Sequence, residues 1–417
     1  IPTLTVAENI FLNMRECSFF LNKQKMEDRI RELSKKFALP VDPGAKVWQL
    51  SVGEQQRVEI MKLLCRNCEV LVLDEPTAIL TPQEANEMFR TLRRLANDGK
   101  SVIFISHKMN EVMEHADRIT VLKNGRVEDH MLASEATIAR LTRAVVGSRT
   151  LDPIDLQPPQ SERKLLLEAN QLRVYNDKGL IALHDISLQL FSGEIFAIAG
   201  VAGSGQRELA EVLAGLRKAA SGSIVLRGTD ITKTSVKERI QNGISFIPED
   251  RLKMGLIPAM NIKQNAILKT FHSSANSKLG ILRNKTIQCL ADSHVKTHDI
   301  KHGGLNLPVG MMSGGNQQKL LVAREISGNP ALIIAAYPVR GLDIGATEAI
   351  HRILMEQRDR GSCVLMISEE LDEIFELSDR IAVFCDGKLI GTRKTTQTTY
   401  DEIGQMISDA CGSEATV

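Results

Sequence analysis

Three things are scarce in this chain, and each closes off a class of function. Net charge is nearly absent: 52 Lys and Arg stand against 51 Asp and Glu. That argues against nucleic acid as a main partner, because binding a phosphate backbone needs a net basic surface. Long apolar runs are missing. No stretch approaches the roughly 20 unbroken apolar residues of a membrane-spanning helix, so any membrane role is expected to be peripheral, through another protein, with no direct insertion. A cysteine framework is missing too. Cys17, Cys65, Cys68, Cys289, Cys363, Cys385 and Cys411 are scattered, and an odd number without regular spacing suggests a reducing compartment. Cys65 and Cys68 form one CxxC, but no second pair and no thioredoxin-like context accompany it, so a structural role is expected. The chain begins at Ile1 rather than Met and enters at once on an amphipathic pattern. It reads as a fragment, so the lack of a signal peptide excludes nothing.

What is present is length and repetition. The 417 residues suffice for two or three domains, each with its own core. Residues 50–57 read LSVGEQQR and 312–319 read MSGGNQQK, an offset of 313 − 51 = 262. The same offset carries Pro76 to Pro338, Ser106 to Ser368, Asp117 to Asp379 and Gly125 to Gly387. IPTLTVAENIFL at 1–12 also resembles IPAMNIKQNAIL at 257–268. Solenoid repeats have periods of about 20 to 50 residues, so a period this long means two copies of a whole domain. Residues 164–256 of the second copy have no counterpart in the first, whose N-terminal part is therefore expected to be missing. The expected organisation is 1–146, the C-terminal part of a first domain; 147–163, a polar, Pro-rich linker; 164–396, a second domain; and 397–417, a tail.

Chemistry concentrates at a few turns. In the second copy an apolar run, Ile195 to Ala199, leads into GVAGSGQR at 200–207 and then a helical pattern. Strand, Gly-rich turn and helix form the context of a phosphate loop, in which Gly200, Gly203, Ser204 and Gly205 let backbone N–H groups converge on an anion. The Lys and the Ser or Thr that end such a loop are replaced here by Gln206 and Arg207. On its own the loop is a weak signal, and a plain strand–helix turn explains it as well. In the first copy the apolar strand Val70 to Leu73 ends in Asp74 and Glu75, where open α/β sheets bind ligands. Asp74 can hold Mg²⁺ and Glu75 can polarise an attacking water. A second apolar strand, SVIFIS at 101–106, ends at His107, which could contact a γ-phosphate. Ser51 to Glu54 fits a capping box, S-x-x-E, before a helix with Val58, Met61 and Cys65 on one face.

In order and twice over, these residues carry a family resemblance. LSVGEQQ resembles the signature loop, LVLDEPTA the Walker B strand and ISHK the switch histidine of ABC transporter ATP-binding subunits. ADRITVLKNGRV at 116–127 is similar to the strand pair that follows them. The resemblance covers nearly the whole chain apart from linker and tail. It implies an α/β fold of two ABC-type P-loop NTPase domains with mixed sheets and helical subdomains, the first lacking its N-terminal part. IPEDR at 247–251 and SGGNQQK at 313–319 look like the subfamily that serves simple-sugar and nucleoside importers. VWQLSVGEQQRVEI and AIAGVAGSGQRELAE look most like its nucleoside branch.

The resemblance further implies domains that pair head to tail around ATP and Mg²⁺. Asp74, Glu75 and His107 would face Ser313, Gly314, Gly315, Asn316 and Gln317, forming the hydrolytic site, whose own phosphate loop would precede Ile1. The other site would pair Gly200 to Arg207 with Ser51, Val52, Gly53, Glu54 and Gln55. There Ala336, Tyr337 and Glu369 replace the Asp, Glu and His, so that site is expected to be inactive. The implied protein is an import ATPase at the cytoplasmic face of a bacterial plasma membrane. Its partners would be two transmembrane permease subunits and, through them, an extracytoplasmic substrate-binding lipoprotein. The 417-residue chain alone is expected not to turn over ATP. A soluble ABC protein acting on ribosomes or DNA, and a non-hydrolysing remnant, stay open as alternatives. Tyr175 could stack on adenine, though packing on the sheet is the expected role.

Overall fold

The protein is described from a computed structural model over residues 1–12, 23–37, 39–50, 52–66, 68–77, 82–106, 108–123, 125–138, 140, 141, 144, 163–201 and 203–412. Ser51, His107 and residues 147–162 of the expected linker lie outside this set, as does the side chain of Val52. The chain divides into two compact units, Ile1–Thr150 and Leu151–Val417.

The first unit opens with α1 (Val6–Phe11), started by a reciprocal cap. The Thr5 hydroxyl accepts from the Glu8 N–H at 3.2 Å, and the Glu8 carboxylate accepts from the Thr5 N–H at 2.7 Å, which satisfies two orphan donors of the first turn. Then come α2 (Lys23–Phe37), α3 (Val52–Cys65), β1 (Val70–Asp74), α4 (Pro82–Asn97), β2 (Ser101–Ile105), α5 (Met109–His115), β3 (Arg118–Lys123) and β4 (Arg126–Leu132). The expected inner face of α3, Val58, Met61 and Cys65, is buried together with Ile10, Ile30, Leu71 and Leu95. Strands β1 and β2 pair in parallel, Val70 opposite Ser101 through Asp74 opposite Ile105. One face of this pair meets the helices. The other carries Val72 and Ile103, 60% and 54% exposed. Strands β3 and β4 form a separate antiparallel pair.

The second unit holds β5 (Leu165–Tyr175), β6 (Ile181–Phe191), β7 (Ile195–Ala199), α6 (Gln206–Ala214), β8 (Ser221–Leu226), β9 (Thr229–Asp230), α7 (Val236–Gln241) and β10 (Ile244–Ile247). There follow α8 (Ile262–Ala266), β11 (Ser277–Lys278), β12 (Ile281–Leu282), α9 (Asn284–Thr297), α10 (Gly314–Ile326), β13 (Leu332–Ala336) and α11 (Ile344–Asp359). The unit ends with β14 (Cys363–Ile367), α12 (Leu371–Leu377), β15 (Arg380–Cys385), β16 (Lys388–Lys394) and α13 (Tyr400–Gly412). Six strands make one sheet in the order β10-β13-β14-β7-β15-β16, parallel except for the last pair. Strands β6-β5-β8-β9 make a second, antiparallel sheet. Every residue of β7, β13 and β14 is buried, as parallel strands covered on both faces require.

Two expectations change. The tail contains α13, whose Ile403 is fully buried and whose Tyr400 ring stacks on Phe375 at 4.1 Å. Tyr175, at the end of β5, stays 48% exposed. The scattered thiols are not all free, since Cys385 is disulfide-bonded. The CxxC cysteine Cys65 is buried, and that burial pushes its thiol up to about 11, which suits an inert core residue rather than a nucleophile.

Candidate functional site

In the first unit β1 delivers Asp74, exposed, to the end of the parallel pair. The next residue leaves the strand abruptly: Glu75 has φ of +46°, and its N–H donates to the Ile105 carbonyl at 2.9 Å. A left-handed non-glycine backbone costs about 1–3 kcal/mol and persists where the surroundings fix it, often at a functional site. The turn continues through Pro76 to Thr77, which is 1% exposed.

The second unit repeats this turn without its chemistry. Tyr337, at the offset position of Glu75, has φ of +49° and donates its N–H to the Ile367 carbonyl at 2.8 Å. Burial pushes its hydroxyl up to about 12, with the charges of Glu369 and Glu249 adding to the effect. At neutral pH it therefore keeps its proton and is no general base. Ala336, at the Asp74 position, brings no carboxylate.

The Gly-rich loop has phosphate-loop geometry between β7 and α6. Gly205 has φ of +92°, and a Cβ there would stand 2.5 Å from the Ala182 carbonyl oxygen; a Cβ on Gly200 would stand 2.2 Å from that of Phe384. Gly203 has φ of +87°. Two of the loop's polar side chains, Gln206 and Arg207, are already engaged. Gln206 is 2% exposed and its amide donates to the Val201 carbonyl at 2.9 Å. Ser204 is buried, and its N–H donates to the same carbonyl at 3.2 Å. Arg207 turns back along α6 to Glu211 at 2.7 Å, and Arg217 approaches the other Glu211 oxygen at 2.8 Å.

The signature segments begin helices. Ser313 is the N-cap of α10 but makes no capping bond; its hydroxyl accepts from the Asn316 amide at 2.8 Å. The first-turn N–H groups at Gly314 and Gly315 thus have no side-chain cap, which suits anion binding at a helix N-terminus. Gln317 donates to the Val309 and Met312 carbonyls at 3.1 and 2.9 Å. In the first unit Gln55 repeats the second contact, donating to the Leu50 carbonyl at 3.0 Å, and Gly53 and Glu54 lie in the first turn of α3.

Among the described residues no cluster of three or more His, Cys, Asp or Glu could hold a metal by itself. Magnesium on a nucleotide needs less: one or two carboxylates complete a shell of phosphate oxygens and water. Asp74 fits that need and Ala336 does not. Sequence reading passed over Glu111, which receives the Thr77 hydroxyl at 2.6 Å. The signal was present, since the offset carries Glu111 to Glu373. No helix of the described residues is long and apolar enough to cross a membrane.

The profile of the family described as ABC transporter matches residues 1–78 and 183–338. The chain is 37% identical to the glucose import ATP-binding protein TsgD13 of Haloferax volcanii, over 100% of this chain and 81% of that protein. It is 39% identical to the nucleoside import ATP-binding protein NupA of Lactococcus lactis subsp. cremoris, over 97% and 80%. It is 38% identical to the guanosine import ATP-binding protein NupO of Bacillus subtilis, over 100% and 81%. With a left-handed strand-end turn built twice, once with Asp-Glu, a Gly-rich loop and two signature helices, the chain belongs to the ABC transporter family, as an ATP-binding protein with two ABC segments.

Proposed function

We propose that this chain is the ATP-hydrolysing subunit of a nucleoside importer and that hydrolysis belongs to its first unit. The observation that carries this is the pair of left-handed turns at Glu75 and Tyr337. The backbone is the same, yet one turn presents a carboxylate and the other a partly buried neutral phenol. Asp74 would hold Mg²⁺ bound to ATP. Glu75 would polarise the attacking water, with His107 at the γ-phosphate. Ser313, Gly314, Gly315, Asn316 and Gln317 would complete that site. Ser51, Val52, Gly53, Glu54 and Gln55 would complete the second, at the loop from Gly200 to Arg207. The second site would not hydrolyse. Removing a catalytic acid or base costs about 10² to 10⁴ in rate, and there the Asp, Glu, His and loop Lys are all replaced.

Such a subunit works with two transmembrane permease subunits, and through them with an extracytoplasmic substrate-binding lipoprotein, at the cytoplasmic face of the membrane. The nucleoside reading is favoured by VWQLSVGEQQRVEI and by the GVAGSGQ loop, and by the likeness to the nucleoside and guanosine import proteins. Likeness to a glucose import protein favours a sugar as the second reading. Uptake of labelled guanosine, uridine and ribose by cells with and without the gene decides between them. Loss of guanosine and uridine uptake is expected. Loss of ribose uptake alone would move the protein to sugars and leave the ATPase assignment standing.

A further inference from the structure

The first unit contains a carboxylate that the reading above leaves without a role. Glu111, on α5, accepts hydrogen bonds from the Thr77 hydroxyl at 2.6 Å and the Ser106 hydroxyl at 3.3 Å. The Lys108 ammonium stands 3.3 Å from its other oxygen. Lys108 also reaches the Thr77 carbonyl at 3.3 Å, and its N–H donates to the Ser106 hydroxyl at 3.1 Å. Thr77 ends the turn that begins at Glu75, and Ser106 and Lys108 flank His107 in sequence. One carboxylate therefore ties the segment after β1 to the segment after β2.

The second unit keeps half of this arrangement. The offset carries Glu111 to Glu373 and Ser106 to Ser368, but Thr77 to Val339 and Lys108 to Glu370. Glu373 still receives the Ser368 hydroxyl, at 2.5 Å. Its other oxygen faces Nε2 of His351 on α11 at 3.0 Å. Valine has no hydroxyl to offer, so this link to the turn after Tyr337 is gone. Where a catalytic carboxylate is present the glutamate joins two catalytic segments, and where it is absent the glutamate joins a strand end to a helix.

We infer that Glu111 is a positioning residue for hydrolysis in the first unit, holding the Asp74–Thr77 turn against Ser106 and Lys108 so that Glu75 is set for its water. The inference rests on the assignment of Glu75 above. Two hydroxyl donors and an ammonium require an acceptor on both oxygens, and a glutamine would turn an NH₂ toward one of them. A displacement of about 1 Å at a reacting group can cost on the order of 10²-fold in rate.

The test is steady-state ATP hydrolysis by the full-length protein in its transporter complex. Glu111→Gln and Thr77→Val should each lower kcat about tenfold or more, with KM for ATP within about twofold of native. Thr77→Ser, which keeps the hydroxyl, should restore the rate. Glu373→Gln, the equivalent change in the second unit, should leave kcat near native. If Glu111→Gln fails to fold, Thr77→Val, nearly equal in size, carries the test. Native kcat in Thr77→Val, or an equal fall in Glu373→Gln, overturns the inference. Glu75→Gln run alongside separates the two levels. An inactive Glu75→Gln beside an unimpaired Glu111→Gln removes the positioning role alone. A Glu75→Gln that keeps the native rate removes the site and the positioning role together.

Discussion

The two units share a backbone and differ in what surrounds it. Strand β1 corresponds to β13 and β2 to β14, and the turn after each first strand has the same left-handed residue on the same hydrogen bond. In the second unit β7 lies between β14 and β15, and all of β7, β13 and β14 is buried. Among the described residues of the first unit, β1-β2 and β3-β4 are separate pairs. Val72 is 60% exposed, while Ile334, its offset partner, is fully buried. The unit with the six-stranded sheet has no carboxylate at this turn, and the unit that has Asp74 and Glu75 shows one exposed strand face.

The largest effect that could break this comparison concerns the signature serines. If hydrolysis is confined to the first unit's carboxylates and served by the second unit's signature helix, Ser313→Ala should cut ATPase activity about 10²-fold or more, the range of losing a hydrogen-bond donor to a developing charge. Ser51→Ala should do far less. Serine is the position to change, because a Cβ on Gly315 would stand 2.9 Å from the Ala346 side chain and disturb α11 as well. Equal losses from both serines would mean that both sites fire.

A smaller effect tests the packing half of the comparison. Ile334→Ala removes a fully buried side chain and should cost about 2–5 kcal/mol of local stability. Val72→Ala, at an exposed position, should cost no more than about 0.5 kcal/mol. Hydrogen exchange resolved by unit reads both, since the units need not unfold together. An equal cost at Val72 would show that its face is covered in the working protein.

Much of this could be read from the chain because the repeat compares each residue with its partner. Asp74 and Glu75 against Ala336 and Tyr337 already set the two units apart and underlie the proposal that only the first hydrolyses. The apolar runs at Val70 and Ser101 are strands as read, and the structure pairs them in parallel. What the sequence hid were contacts between distant residues. Thr77 and Glu111 meet across 34 positions, and no local period reports such a bond. The inward turn of Gln206 depends on where the Val201 carbonyl sits, and the left-handed turns fall on Glu75 and Tyr337 rather than on glycines that would announce them. Helix α13 was legible after all: Ile403, Met406 and Ile407 recur at helical spacing within the segment read as a tail.

The central claim is that one backbone frame occurs twice and works once. Single-turnover hydrolysis by the full-length protein carrying Glu75→Gln tests it most directly, with and without Gln206→Lys in the same molecule. The second change restores a loop cation but leaves Ala336, Tyr337 and Glu369 in place. Neither protein should release phosphate above the rate of ATP alone in solution. A burst of phosphate that appears when Gln206→Lys is added would contradict the account, because it would show that the second unit lacked only a cation.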